Sequence, residues 1–160
     1  MAVINVTNGT QAILTLANTA PLAIPGTAGG LVVPFVQDIT VNATPGTVRY
    51  STLDSTSSSA FTTVNENGIS LNLLVDEQVM FGLANTTNSV ADKGLLDTSI
   101  AKDEIFFSVT VTGTGTTGDI NISGKGFIGG LAPTASIDGA VFLSPCEIIV
   151  NGELTKNVES

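Results

Sequence analysis

Apolar and polar positions alternate along most of this chain, and the period is two rather than 3.6. The stretch Ile105-Phe106-Phe107-Ser108-Val109-Thr110-Val111-Thr112 is the clearest case. Ile105, Phe107, Val109 and Val111 fall on one face, and Ser108, Thr110 and Thr112 make most of the other, as in a strand. Residues 68–75 repeat the pattern, with Ile69, Leu71, Leu73 and Val75 on one face. Residues 2–16 read as two short strands around Asn8-Gly9, a strong hairpin signal between apolar runs. Residues 31–41 alternate again, with Pro34 suggesting an edge strand or an interruption. Thr44-Pro45-Gly46-Thr47 predicts a turn, followed by a short strand over 47–52. Further on, residues 113–118 predict a turn and 119–123 a returning strand. Residues 127–131 continue it after a break at Gly124 and Gly126. Residues 140–154 form a long last strand interrupted near Pro145, and residues 18–30 and 132–139 are loops.

Helical spacing is confined to residues 76–96. Asp76 and Glu77 favour a helix start through the macrodipole, with Val79, Met80, Leu83 and Ala84 at helical spacing and Asn85 as a stop. A second start is Ser89 with Asp92 three residues on, the capping-box spacing. Gly94 weakens that one by about 1 kcal/mol relative to Ala. The expectation is one helix in this span. The fold class is therefore mainly β: a β-sandwich or barrel with one flanking α-helix and long loops, forming a single domain over residues 1–160. Residues 51–63 contain little apolar material and read as an exposed contact loop. Residues 155–160 read as a C-terminal tail. Neither is an independent folding unit, so a neighbouring molecule would order them.

Composition sharpens this. Charged residues make up 12% of the chain and hydrophobic ones 42%, the reverse of a disordered chain. Thr (22) and Ser (13) fill the gap; Thr suits a pleated half-buried surface, while Ser, Asn and Gly make turns. So few charges on so large a surface suit a subunit that covers itself with neighbours. The net charge is −9, and the cations Arg49, Lys93, Lys102, Lys125 and Lys156 are widely spaced. No basic patch exists to neutralise a run of phosphates, so this chain should repel DNA rather than bind it. No run approaches the ~20 apolar residues of a membrane span. No Lys or Arg precedes Arg49, which argues against a signal peptide.

Catalytic chemistry is thinly represented. With no histidine, the commonest general base, metal ligand and triad member are missing. The pairs Asp76-Glu77 and Asp103-Glu104 flank apolar strands and read as solvated strand ends. Gly113-Thr114-Gly115-Thr116-Thr117-Gly118 matches the dinucleotide-binding string, but a helix must follow for its N-terminus to meet a pyrophosphate. Here a strand pattern follows. Cys146 lies in an apolar segment and reads as a small buried hydrophobe. No enzyme, cofactor or metal is expected.

The order of turn signatures in the second half resembles the phage major tail tube protein family. Gly124, Gly126 and Phe127 match the family's Gly-x-Gly-Phe/Ile turn. Ser136 to Asp138 match a loop with a small residue and an Asp. Gly152, Glu153, Leu154 and Thr155 match a closing Gly-x-Leu-Thr. Upstream, Thr52, Asp54, Ser55, Gly68 and Asp76 match a second region, so that the resemblance covers residues 52–155. Residues 56–60 depart from it by lacking the aromatic or basic residue many relatives carry there.

The resemblance implies six subunits in a ring, inner sheets joined around a channel, and rings stacked head to tail for DNA ejection. Inter-subunit contacts would include Thr52, Asp54, Ser55, Phe61, Leu154 and Thr155. Partners would be further copies, other tail proteins at the tube ends and, in some tails, a sheath. DNA would pass without specific binding. The protein would sit in the virion tail after assembly in the host cytoplasm, with no membrane contact. An acidic channel built from six such chains would keep DNA from sticking. Two other readings stay open: a capsid decoration or cement protein, and a carbohydrate-binding β-sandwich module. The second is weakened by the absence of Trp and the single Tyr50.

Overall fold

In a computed structural model, residues 11–18, 31–34, 36–51, 53, 57–82, 89–112, 120–134 and 143–158 are described. The predicted strand at 2–7, Asn8-Gly9, and the segments 113–119 and 135–140 lie outside them. The strands are β1 (Gln11–Ala17), β2 (Leu31–Val33), β3 (Val36–Tyr50), β4 (Ser59–Leu74), β5 (Ile105–Thr112), β6 (Ile120–Leu131), β7 (Leu143–Val150) and β8 (Thr155–Val158). All pair antiparallel in the order β2-β1-β5-β6-β7-β4-β3, with β8 added beside β6. β1 and β3 stand far apart in that order yet make contact, so the sheet curls on itself. The mainly β class expected from the alternation is what the chain adopts.

The period-two pattern decides what the curl encloses. Leu14 and Leu16 lie opposite Val109 and Phe107, and with Ile105 they share one face of β1 and β5. Ile69, Leu71 and Leu73 from β4 and Cys146 and Ile148 from β7 complete the buried cluster. The other face of β1, β5 and β6 is buried as well, although it is polar: Thr15, Ser108, Thr110, Asn121 and Ser123 are at most 6% exposed. Asn121 Nδ2 donates to Ser108 Oγ at 2.8 Å and to Thr110 Oγ1 at 3.3 Å. Such bonds are what make burial of these groups tolerable. Cys146 is buried at 4% exposure, and its thiol is pushed up to about 12, first by desolvation and then by the Glu147 charge.

Two helical segments replace the single one expected. α1 (Glu77–Phe81) starts on Asp76, whose carboxylate accepts from the Gln78 and Val79 N–H groups. It ends at Gly82, ahead of Asn85, which lies outside the described residues. α2 (Val90–Ala101) starts on Ser89, whose hydroxyl accepts from the Asp92 N–H, and it breaks at Gly94 with φ +77 before running on. Val79, Met80, Val90 and Leu95 join the sheet's core. Helical spacing located both starts, but a glycine at positive φ allowed a second segment to turn and continue past Leu96.

Several strand boundaries also move. Gly124 and Gly126 do not break β6. A Cβ on Gly124 would stand 2.9 Å from the Phe107 ring, and one on Gly126 would run into the Ile149 carbonyl. Their role is close packing inside a strand. β7 passes through Pro145 without interruption: its ladder with β6 ends at Cys146, so one side of Pro145 needs no N–H donor. The first four residues of the expected tail, Thr155–Val158, are already strand β8 on β6. A strand and no helix follows the Gly113–Gly118 string, and β5 and β6 pair across it from Val111↔Ile120 onward.

Candidate assembly surface

β3 and β4 form a hairpin much longer than the sheet that carries it. The β4 ladder with β7 ends at Gly68↔Ile149. Pairing with β3 continues from Ala43↔Asn67 to Tyr50↔Ser59. Eight residues of β3 thus project as a two-stranded ribbon, about 25 Å at 3.3 Å per residue. The predicted turn at Thr44–Thr47 is a correction here. Those residues stay in the strand and host a register shift between Pro45 and Thr47. The Pro-Gly signal marked an irregularity, which the ladder absorbs as a bulge. The separate strand expected over 47–52 is the end of β3, and residues 59–63 of the expected loop belong to β4.

The ribbon has two unlike faces. The register places Val48 opposite Phe61, with Tyr50 two residues on and on the same side. All three are exposed, Tyr50 at 52% and Phe61 at 54%, and their rings approach to 6.0 Å between centroids. Thr47, Arg49, Ala60 and Thr62 occupy the other face. Leu53, beyond the paired residues, is fully exposed. A lone two-stranded hairpin is marginal in water, and an exposed apolar face on it is a contact surface in waiting.

The expected contact residues divide as follows. Thr52, Asp54 and Ser55 lie outside the described residues. Phe61 is on the ribbon's apolar face. Leu154 and Thr155 sit away from it, at the β7–β8 turn and the start of β8. Leu154 does line a groove of about 820 Å³ at the ribbon's base, together with Ala43, Asn65, Asn67 and Glu153. Sequence reading missed Val48 and Tyr50, although their i, i+2 spacing before an apolar Phe was a usable signal. It also missed this groove, which exists only because the chain returns beside the ribbon 80 residues later.

A second surface runs along the exposed face of β3, β4 and β7. Asp38, Thr40, Asn42 and Thr44 stand beside Asn72, Ser70, Gly68 and Glu66. Ser70 in turn faces Glu147. Asp38 accepts both of its hydrogen bonds from Asn72 Nδ2, at 2.9 and 3.1 Å. This face of the three strands carries three carboxylates and no cation; Arg49 points the opposite way. Among the described residues no group of three His, Cys, Asp or Glu is placed to hold a metal. No helix among them is long and apolar enough to cross a membrane.

No protein-family model matches the sequence, and no curated protein matches it either. Solved structures do. The chain is similar to the tail protein of an empty GTA particle computed with helical refinement and C6 symmetry. That likeness has TM-score 0.61 and 14% identity over 94% of this chain and 98% of that one. It is similar to the SPP1 tail tube, at TM-score 0.61 and 12% identity over 92% of this chain and 77% of that one. It is also similar to a chain of the PVC sheath–tube complex of an extracellular contractile injection system in its extended state. There the TM-score is 0.52 and identity 14%, over 92% and 88% of the two chains. The chain has the fold these tail and tube assemblies share.

Proposed function

We propose that this protein is a structural subunit of a tail tube, built from six-fold rings that stack into a channel for DNA ejection. The observation that carries this is the ribbon: a hairpin that runs on beyond the β7 ladder and exposes Val48, Tyr50 and Phe61, a face suited to a covering molecule. The shared fold supports it, since the SPP1 structure is a tail tube and the GTA tail has C6 symmetry. β3 ladders only with β4 among the described residues, which supports it too, because an unpaired strand edge templates pairing with another chain. A contact that does not close on itself gives an open stack.

On this reading the face bearing Asp38, Glu66 and Glu147 lines the channel. Its fixed negative charge keeps the phosphate backbone from settling on the wall. The role is structural and needs no cofactor. Thr52, Asp54, Ser55 and Phe61 contact the next subunit through the ribbon, and Leu154 and Thr155 do so near its base. Other tail proteins cap the ends, with a sheath in sheathed tails, and the protein belongs in the virion after assembly in the host cytoplasm.

Electron microscopy of the purified protein tests this. Six-fold rings or tubes with a central hole are expected. Trimers that bind only to capsids would replace the reading with that of a cement protein, and a monomer that binds glycans would replace it with that of a binding module.

A further inference from the structure

We propose that the groove at the base of the ribbon is a receptor for the ribbon of a second copy, and that Arg49 of the incoming ribbon is held there by Glu153 and Asn67. The inference rests on the tube reading and adds to it a donor, a receptor and a charge pair.

The groove wants a cation. Asn67 lines the groove and keeps its Oδ1 buried without a hydrogen bond, so a donor meets that oxygen when the side chain turns outward. An unpaired buried acceptor costs about 1–3 kcal/mol until a donor arrives. Glu153 stands exposed on the same groove and has no ion-pair partner among the described residues. The remaining lining is small or uncharged, with Ala43, Thr63, Asn65, Val150, Asn151 and Leu154. A volume of about 820 Å³ admits a planar, many-donor group together with part of the strand that bears it.

Arg49 is the one cation on the described ribbon. Away from it, Lys93 is paired with Asp103 at 2.6 Å, Lys125 with Glu104 at 3.4 Å, Lys102 closes α2 and Lys156 lies in β8. Arg49 is exposed, and no described carboxylate pairs with it. Its guanidinium offers five donors, enough for a carboxylate and an amide oxygen at once. It cannot reach its own groove. Asn67 lies opposite Ala43, and six residues of extended strand separate Ala43 from Arg49, about 20 Å. The donor must therefore be another molecule. Since each copy carries −9, an attractive pair at the contact also offsets repulsion between like subunits.

Charge reversal and cross-linking test the contact in the full-length protein. Arg49→Glu and Glu153→Arg should each raise the concentration needed for assembly by roughly tenfold, as loss of a charge-assisted pair does. The two reversals together should restore it. Separately, Arg49→Cys with Glu153→Cys should give a ladder of disulfide-linked oligomers on mild oxidation, with no disulfide-linked dimer from either single variant. The native Cys146 is buried and does not interfere. Tubes that form normally in both reversals, or a disulfide-linked dimer from Arg49→Cys alone, would overturn this contact and leave the tube reading standing. A wild-type protein that stays monomeric throughout would overturn both.

Discussion

The space a side chain on Gly94 would need is filled by the Gly82 backbone, and that of Gly82 by the backbone just before Gly94. A Cβ on Gly94 would run into the Gly82 nitrogen and stand 2.6 Å from the Phe81 carbonyl carbon. One on Gly82 would meet the Asp92 oxygen and stand 2.6 Å from the Lys93 carbonyl carbon. Both have positive φ, +82 and +77. The pair lets α1 end directly against the bend in α2, which brings Met80 and Leu95 together into the core.

Gly94→Ala should therefore destabilise the fold by roughly 2–4 kcal/mol, adding backbone strain to an overlap with main-chain atoms that cannot rotate away. Urea denaturation of the monomeric protein measures it. A change under 0.5 kcal/mol would mean the helices separate easily, and that the close approach is not a constraint.

Phe61→Ala should separate folding from assembly. Its ring lies beside Tyr50 and opposite Val48 and is 54% exposed on a ribbon outside the core, so monomer stability should fall by about 1 kcal/mol or less. Assembly should weaken by tenfold or more in concentration, measured by sedimentation. Tubes assembling at the wild-type concentration would show that the apolar face is not an interface.

Glu66→Lys and Glu147→Lys should leave tubes intact and impair DNA ejection, because a cation on the channel wall holds phosphate. Particles carrying each variant can be counted by microscopy and scored for genome delivery. Undiminished delivery from both would place this acidic face somewhere other than the channel.

The thiol of Cys146 ties stability to alkaline pH. Its ordinary value is 9.0 and the fold pushes it to about 12. The folded chain thus holds the proton more tightly than the unfolded chain does. Stability is unaffected below pH 9, falls as the pH rises from 9 towards 12, and loses on the order of 4 kcal/mol across that window. Subtracting the profile of Cys146→Ala from that of the wild type isolates this term from Tyr and Lys titration. Two parallel profiles would contradict the burial. Below pH 9 the same thiol should resist alkylation until the chain unfolds.

The elements legible in the sequence were those decided locally. Alternation placed β5 to the residue, since Ile105, Phe107 and Val109 needed no distant information. Asp76 and Ser89 announced both helix starts because a cap is set by the neighbouring N–H groups. What escaped depended on contacts far along the chain. Gly124 and Gly126 resembled a break, but their bareness answers to Phe107 and Ile149 on adjacent strands. Pro45-Gly46 resembled a turn, and only the partner strand, beginning at Ser59, shows that the chain goes straight on. The expected tail was read as waiting for another molecule, while β6 already offered Ile120 to Ser123 as a template. The same holds for the candidate surface. Phe61 was visible as an apolar residue in a polar stretch. Its partners Val48 and Tyr50, and the groove below them, follow from register.

A ribbon that is marginal alone changes the kinetics of growth. The first subunits to meet must stiffen their hairpins with few neighbours to hold them, whereas a subunit joining a finished ring finds its receiving surface already rigid. Initiation is then slow and elongation fast. Bulk protein should remain dispersed through a lag that preformed fragments abolish, which light scattering can follow. Growth without a lag at any concentration would mean the hairpin is rigid from the start. With a lag, the number and timing of filaments pass from this chain to whatever supplies the first ring.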